Sequence, residues 1–216
     1  MRKIINDDIF NWFNNVVDGN FSYVASMPDF SEFPNYTLKE WKDWFENCAE
    51  KIIEKTADNE FSIFYQSDIK KDGAWVDKSF LVMKAAEKAN SQLLWHKIIC
   101  RVPPGKVTFG RPAFSHILCF SKNFKLDPAH STADVIPHVG EKTWERGMGL
   151  EACLMLSEFL KRHSESQKVV NPFCGMGSFV SVADAFDLEV IGIEKSKKRA
   201  DESARLNFSL KEKIWI

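Results

Sequence analysis

Residues 169–179, Val-Val-Asn-Pro-Phe-Cys-Gly-Met-Gly-Ser-Phe, constrain the fold of this chain more than any other stretch. The β-branched pair that opens it predicts a short buried strand, and the Asn-Pro pair ends that strand because proline lacks a donor for the ladder. Gly175 and Gly177 allow positive φ angles and the close approach of a ligand. The apolar run over residues 179–186 then predicts a helix whose free N–H groups face the turn.

A carboxylate follows this turn at an informative distance. Glu194 ends a second predicted strand, residues 189–194, about 20 residues after Gly175. This pattern suits a ligand with an adenosine ribose, because the acid accepts hydrogen bonds from the ribose hydroxyls while the turn leaves room for the rest. A tight connection between strand and helix, without a ligand, is the alternative for the glycine turn taken alone.

The residues of the turn also resemble a known sequence motif. Residues 171–178 resemble the Asp-Pro-Phe-x-Gly-x-Gly-Thr cofactor motif of the S-adenosylmethionine-dependent amino-methyltransferases that act on DNA bases. Residues 191–194, Ile-Gly-Ile-Glu, are similar to the following strand and ribose-binding acid of that family. The resemblance implies S-adenosyl-L-methionine as the cofactor. The candidate cofactor-binding residues are Asp8, Asn171, Pro172, Phe173, Gly175, Gly177, Ser178 and Glu194.

Two flanking segments extend the resemblance to the cofactor site. Residues 4–8, Ile-Ile-Asn-Asp-Asp, resemble the family's Ile-Asn-Gly-Asp segment, which implies that Asp8 contacts the adenine. The alternative for Asp8 is the N-cap of the following helix, and one residue can serve both roles. Residues 144–149, Trp-Glu-Arg-Gly-Met-Gly, stand where the family has a Gln-Lys-Pro motif beside the cofactor. The glycines and the methionine of this segment either line the methionine end of the cofactor or begin a helix.

Residues 26–30, Ser-Met-Pro-Asp-Phe, resemble imperfectly the family's catalytic tetrapeptide, in which Asp, Asn or Ser precedes Pro-Pro and an aromatic residue. In the family, the first side chain and a backbone carbonyl accept the two hydrogens of an exocyclic amine, and the aromatic ring stacks on the flipped base. Ser26 and the carbonyl of Met27 match the first role. The candidate catalytic residues are therefore Ser26, Met27, Pro28, Asp29 and Phe30.

This loop departs from the family pattern at the aromatic position. Asp29 stands where the aromatic residue belongs, and Phe30 comes one residue late. Either the loop is bulged and Phe30 stacks on the base, or the target is neither adenine nor cytosine. In the second case Asp29 and Glu32 would bind a donor-rich edge, such as that of guanine, or a cationic substrate.

The remaining elements complete an α/β pattern. The sequence predicts helices over 9–17, 38–55, 79–89, 141–163 and 196–207, strands over 3–6, 21–26 and 61–66, a turn at Asp18-Gly19, a charged loop over 68–73, a hairpin with strands 93–100 and 114–120, and a short tail over 211–216.

This order predicts the fold class. It is a Rossmann-like, doubly wound, seven-stranded methyltransferase sheet that is circularly permuted and carries an antiparallel hairpin at one edge. We expect one domain over residues 1–216, with a catalytic half over 1–120 and a cofactor-binding half over 141–210. In such a sheet, both loops lie at the carboxyl ends of strands beside the topological switch.

Composition limits the remaining classes. The net charge of −1 lowers the expectation of tight autonomous DNA binding, which depends largely on neutralising phosphates. The five cysteines show no Cys-x-x-Cys pair or histidine at ligand spacing, so we predict reduced thiols in a cytoplasmic protein and no metal site. The sequence shows no signal peptide and no run of membrane-spanning length, so no membrane association is expected.

Three functions are consistent with these features. The first is methylation of an exocyclic amine on a nucleic-acid base, with RNA or an unpaired base favoured. Members of the resembled family that act on specific DNA sites usually carry a long recognition insert between the hairpin and the next helix, and here that space holds only about twenty residues. We expect duplex DNA binding no tighter than roughly 10⁻⁴–10⁻⁶ M. The second is a methyltransferase for a protein or small molecule. The third is a catalytically silent cofactor-binding or partner-binding subunit, and a partner subunit or a homodimer is compatible with each.

Overall fold

The computed structural model describes residues 1–16 and 19–216. The helix end predicted at Val17 and the turn residue Asp18 lie outside the described residues. Helices and strands, numbered in chain order, are β1 (Arg2–Ile5), α1 (Ile9–Asn15), β2 (Ser22–Ala25), α2 (Leu38–Lys55), β3 (Ser62–Gln66), β4 (Ile69–Lys71), β5 (Ala74–Val76), α3 (Lys78–Lys88), β6 (Gln92–Cys100), β7 (Phe114–Ser121), β8 (Val135–Ile136), α4 (Leu150–His163), β9 (Lys168–Asn171), α5 (Ser178–Ala185), β10 (Glu189–Ile193), α6 (Lys197–Arg205), β11 (Phe208–Ser209) and β12 (Ile214–Trp215).

These elements form two compact units. The first contains residues 1–25 and 139–216, and the second contains residues 26–138. The single domain and its two halves, as expected from the sequence, stay a prediction.

Four parallel strands form the sheet of the first unit, in the order β1-β10-β9-β2. The inner strand β9 carries Val169 and Val170, which are fully buried, as their β-branched side chains predict. The register pairs Asn171 with Gly192, so the strands that precede the glycine turn and Glu194 end at the same level. The predicted tail is instead a small antiparallel ladder between β11 and β12.

The second unit has an antiparallel sheet in the order β3-β7-β6, and β8 adds a short parallel strand beside β6. The predicted hairpin is confirmed in β6 and β7. Helix α2 has the predicted bounds, because the capping box between Thr37 and Glu40 fixes its start. Its apolar stripe forms the core, with Trp41 and Phe45 fully buried.

Two predicted boundaries were wrong. The charged loop over 68–73 contains strand β4, which pairs with β5 around Asp72 and Gly73. Both turn residues have positive φ, which is the hairpin chemistry that an Asp-Gly pair supports.

The helix predicted from residue 141 begins only at Leu150. Gly149 is extended and packs so closely on Val139 that an added Cβ would lie 2.1 Å from its carbonyl oxygen. The amide of Leu150 donates to the carbonyl of Glu141, so residues 141–149 fold back as a loop.

Across the described ranges, no helix has both the length and the apolar character needed to cross a bilayer. The five cysteines are free thiols, as predicted, and all of them are buried.

Candidate functional site

The glycine turn has a shape that L side chains resist. Gly175 and Gly177 have φ angles of 56° and 88°. A Cβ on Gly177 would lie 2.5 Å from the Oγ of Ser203, which leaves no room for a side chain. The amide of Cys174 donates to the carbonyl of Ile193 over 3.0 Å and ties the turn to β10. The turn is thus a rigid connection held close to the strand that leads to Glu194.

The carboxylate of Glu194 is built into this turn. Its side chain accepts hydrogen bonds from the amide of Gly175 at 3.0 Å and from the amide of Ser196 at 2.8 Å, one on each oxygen. The residue is 9% exposed. A carboxylate has about four acceptor positions, so each oxygen keeps one for a further donor. These residues therefore fit an adenosine ribose, whose hydroxyls need two such acceptors.

Asp8 caps a helix, as one of its two predicted roles requires. Its Oδ1 accepts from the amide of Phe10 at 3.0 Å, and its Oδ2 lies 3.0 Å from the Nζ of Lys195. The side-chain amide of Asn6 also donates to the carbonyl of Glu194 over 2.9 Å. The structure therefore brings Asp8 to the end of β10. Its contact with adenine stays a prediction.

Asn171 replaces the acid of the family motif and uses its amide. Its Nδ2 donates to the carbonyl oxygen of Val24 on β2, and the residue is 3% exposed. An ionised aspartate could not donate this bond. Ser178 bonds through its hydroxyl to Thr143, while Pro172 is buried and Phe173 is half-buried. The asparagine thus links the end of β9, just before the glycine turn, to β2, the strand that precedes the candidate catalytic loop.

Trp144 covers the glycine turn. An added Cβ on Gly175 would lie 3.4 Å from the ring of Trp144, and the guanidinium of Arg199 lies over the same ring, 5.2 Å from its centre. Sequence reasoning placed the glycines and the methionine of residues 144–149 at this position. The structure brings the tryptophan there, while Met148 is buried.

The candidate catalytic loop lies in the second unit. Met27 is buried, whereas Ser26 and Pro28 are half-buried. Phe30 is also half-buried and packs edge-on against Trp41, with ring centres 6.0 Å apart. Part of the Phe30 ring therefore stays accessible, and its stacking on a base remains a prediction.

Asp29 lies between two cations. Its carboxylate is 3.7 Å from the Nζ of Lys78 and 3.4 Å from the guanidinium of Arg111. Its backbone amide donates to Glu32 over 3.3 Å and closes a short turn. A cavity of about 360 Å³ opens beside it, lined by Asp29, Phe30, Ser31, Asp68, Ile69, Lys71, Gly110 and Arg111. Asp29 therefore faces a cavity, and Lys78 and Arg111 already engage part of the acceptor capacity of its carboxylate.

Sequence reasoning missed Asp68, a buried acid on the wall of this cavity. Its carboxylate accepts from the Nε1 of Trp75 at 2.9 Å and lies 3.0 Å from the Nε2 of His116. Burial raises the pKa of Asp68, but hydrogen bonds from His116, Trp75 and the amide of Lys78 outweigh it and leave that pKa below its usual value. The sequence carries no local signal for this contact, because it depends on the register that pairs Gln66, two residues before Asp68, with His116.

The same acid belongs to a group with metal-ligand chemistry. Ligand atoms of Asp68, Asp77 and His116 lie within 4.8 Å of one another. Asp77, however, accepts from the amide of Phe80 at 2.9 Å as the N-cap of α3, and His116 shares its other nitrogen with His96 at 2.8 Å. Both nitrogens of His116 and at least one oxygen of each acid thus have hydrogen-bond partners within the protein, which makes this group a hydrogen-bond network.

The sequence matches no protein-family model and no curated protein. Solved structures share its fold. One is TTHA0409 from Thermus thermophilus, a proposed DNA modification methylase in complex with S-adenosyl-L-methionine. Its TM-score is 0.69 at 14% identity, over 94% of this chain and 91% of that one. Another is the cytosine-N4-specific PvuII DNA methyltransferase, with a TM-score of 0.70 at 18% identity over 94% and 85% of the two chains. A third is the M1.HpyAVI–SAM complex, with a TM-score of 0.63 at 14% identity over 95% and 98%.

At these identities the likeness lies in the fold. It extends over nearly the whole of this chain and of these neighbours. The α/β methyltransferase fold predicted from the turn, the strand-end acid and the order of the elements is confirmed: this chain has the fold of these DNA methylases.

Proposed function

We propose that this protein is an S-adenosyl-L-methionine-dependent methyltransferase that acts on an exocyclic amine of a nucleic-acid base. The observation that carries the proposal is the built-in carboxylate of Glu194, which closes the glycine turn at the amide of Gly175 and keeps acceptor capacity for a ribose. The fold shared with DNA methylases that contain the same cofactor supports this assignment.

The first unit would bind the cofactor. Glu194 would accept hydrogen bonds from the ribose hydroxyls, and Asp8 would face the adenine while it caps α1. Gly175 would let the backbone approach the methionine part without a side chain in between, while Gly177 keeps the turn packed on Ser203. When bound, the cofactor supplies an electrophilic methyl group on a sulfonium. Transfer would leave S-adenosylhomocysteine as the leaving group, and the methylated amine would release one proton to solvent. The residues of this chain would orient the acceptor for that transfer.

The second unit would present the acceptor amine. The lone pair of such an amine is delocalised into the ring, so the amine must be held by its hydrogens to bend toward sp³ geometry. The hydroxyl of Ser26 and the carbonyl of Met27 are the acceptors proposed for this role, and the outer face of Phe30 would cover the base. RNA and unpaired DNA are the favoured substrates, since a paired base must first be flipped.

Calorimetry with S-adenosyl-L-methionine and with S-adenosylhomocysteine tests cofactor binding. Transfer of a tritiated methyl group to single-stranded DNA, RNA and duplex DNA tests the activity. We expect heat of binding with both ligands, and transfer that falls about 10²-fold in Ser26→Ala with little change in cofactor affinity. Absence of binding heat with both ligands would refute the proposal. Binding without transfer to any nucleic acid would favour the silent subunit or a methyltransferase for another substrate.

A further inference from the structure

The loop that joins β6 to β7 exposes large apolar side chains at its tip. Phe109 is 89% exposed and Val107 is 78% exposed. A phenyl ring that stays in water contributes nothing to folding, so the stability of this unit does not explain its presence. Exposed apolar groups of this size mark surfaces that contact a partner when other features agree.

The stretch of sequence that contains this loop carries charges of one sign. From residue 89 to residue 126 the sequence contains no aspartate or glutamate, although the whole chain has a net charge of −1. Lys106 and Arg111 flank the two exposed apolar residues within this stretch, and both are exposed. The near-neutral whole therefore contains a basic stretch of sequence, in which Lys106 is exposed and Arg111 is also paired with Asp29. Basic side chains of this kind suit an anionic partner.

The base of the loop is held in place. The amide of Arg101 donates to the carbonyl of Ala113 over 2.7 Å, and the Nζ of Lys70 donates to the carbonyl of Thr108 over 3.0 Å. Gly105 turns the tip with a φ of 85°. The aromatic and basic side chains are thus presented from an anchored backbone, which lowers the entropy lost when they bind.

The loop also reaches the cavity beside Asp29 and Phe30. Gly110 and Arg111 line the cavity beside Asp29, and Arg111 pairs with the Asp29 carboxylate. Phe109 precedes these two residues directly. The exposed phenyl ring thus belongs to the residue next to the cavity wall, within reach of a polymer that places one group in the cavity.

We propose that this loop, residues 103–111, binds an unpaired stretch of nucleic acid, with Phe109 stacked on a base next to the one that enters the cavity and with Lys106 and Arg111 on the phosphates. An exposed aromatic ring between cations is the chemistry of single-strand binding, because every base has a face to stack and every nucleotide has a phosphate. The inference rests on the proposed function and names its substrate class. It also accounts for the short space left for a recognition insert, since a loop of the hairpin supplies the contact.

Fluorescence anisotropy with the full chain tests this proposal. The probes are a fluorescein-labelled single-stranded DNA of mixed sequence, the RNA of the same sequence and the matching DNA duplex. We expect both single strands to bind more tightly than the duplex. Phe109→Ala should weaken single-strand binding by about 5- to 100-fold, the scale of one lost stacking contact. Lys106→Gln should reduce the slope of log affinity against log salt by about 0.7, the value for one phosphate contact on a single strand.

Matched variants separate these effects from general ones. Phe80→Ala removes another exposed phenyl ring in the same unit, and Lys211→Gln removes an exposed charge in the other unit. Both should bind the strands as the native chain does. Unchanged thermal unfolding should show that Phe109→Ala folds normally.

The outcomes distinguish this inference from the proposed function. Native affinity in Phe109→Ala, or an equal loss in Phe80→Ala, would overturn the inference and leave the loop as a surface for a protein partner. Cofactor binding without any strand binding would also overturn it, while the cofactor assignment stands. Strand binding that depends on Phe109 in a chain that binds no cofactor would support the inference and refute the proposed function.

Discussion

The Nζ of Lys78 lies 3.7 Å from Oδ1 of Asp29, and the lysine side chain is only 3% exposed. The ammonium lies over the rings of Trp41 and Phe45, at 5.6 and 5.9 Å from their centres. An ammonium in such a place needs a counter-charge. The acid that stands where the family pattern has an aromatic residue therefore has a physical reason within this chain, because it balances a buried lysine.

This pairing predicts coupled stability. Asp29→Ala should lower the free energy of unfolding by about 1–3 kcal/mol, because it leaves a buried charged donor without its acceptor. Lys78→Met in the same chain should restore most of the loss, since both partners are then absent. Urea unfolding followed by tryptophan fluorescence measures both. Asp43→Ala, which breaks an exposed pair with Lys39, is the control and should cost less than about 1 kcal/mol. Additive effects of the two core substitutions would contradict the coupling.

The same lysine predicts a dependence on pH. Burial lowers the pKa of Lys78 below its usual value of 10.5 and outweighs the attraction of Asp29, while Arg111 lowers it further. Between the lowered pKa of the folded chain and 10.5, the unfolded chain binds a proton that the folded chain has released. The free energy of unfolding therefore rises with pH across this window. Denaturant titrations at several pH values above neutrality should show the native chain gaining stability relative to Lys78→Met. Parallel profiles would show that the lysine titrates normally.

Glu194 predicts a loss of cofactor affinity. Glu194→Ala should weaken the binding of S-adenosyl-L-methionine by about 1.5–3 kcal/mol, the scale of a charge-assisted hydrogen bond. Glu194→Gln should lose less, because its carbonyl oxygen still accepts one bond. Glu189→Ala, at the more exposed start of the same strand, is the control and should bind normally. Native calorimetric affinity in Glu194→Ala would remove the ribose contact from the proposal.

The hydrogen bond from Asn171 to Val24 predicts that the aspartate of the family motif is unfavourable at this position. Asn171→Asp puts a carboxylate where the amide donates to Val24, so it should cost about 1–3 kcal/mol of unfolding free energy at neutral pH. A protonated acid could donate the bond again, so the variant should regain stability as the pH falls through the raised pKa of the new carboxyl group. Exposed Asn35→Asp should stay within about 0.5 kcal/mol of the native chain. A variant as stable as the native chain at neutral pH would show that the amide donor is dispensable.

Local signals made much of this fold predictable. The capping box of Thr37 and Glu40 fixed the bounds of α2, and the valines of β9 and the glycine turn fixed the strand-turn-helix unit. The hairpin at Asp72-Gly73 carried an equally local signal, which its many charges obscured. Each of these features depends on residues within a few positions of one another.

The remaining features depend on tertiary contacts. Gly149 looks compatible with a helix until Val139 packs against it. Asp68 and His116 meet only because β3 and β7 pair in one register. A hydrophobicity pattern treats Lys78 as a polar residue, yet its long aliphatic stem places the ammonium beside the aromatic rings of the core. The glycine turn could thus be located from sequence, whereas the pairing of Asp29 could not.

The position of Trp144 has an optical consequence. Its indole lies against the glycine turn and carries the guanidinium of Arg199 on its face, so any ligand seated on the turn must change the polarity around it. Indole emission responds to such changes in both wavelength and intensity. Occupancy of the turn should therefore be visible in the intrinsic fluorescence of the unlabelled chain. Trp144→Phe, which leaves six other indoles in place, should erase most of that signal.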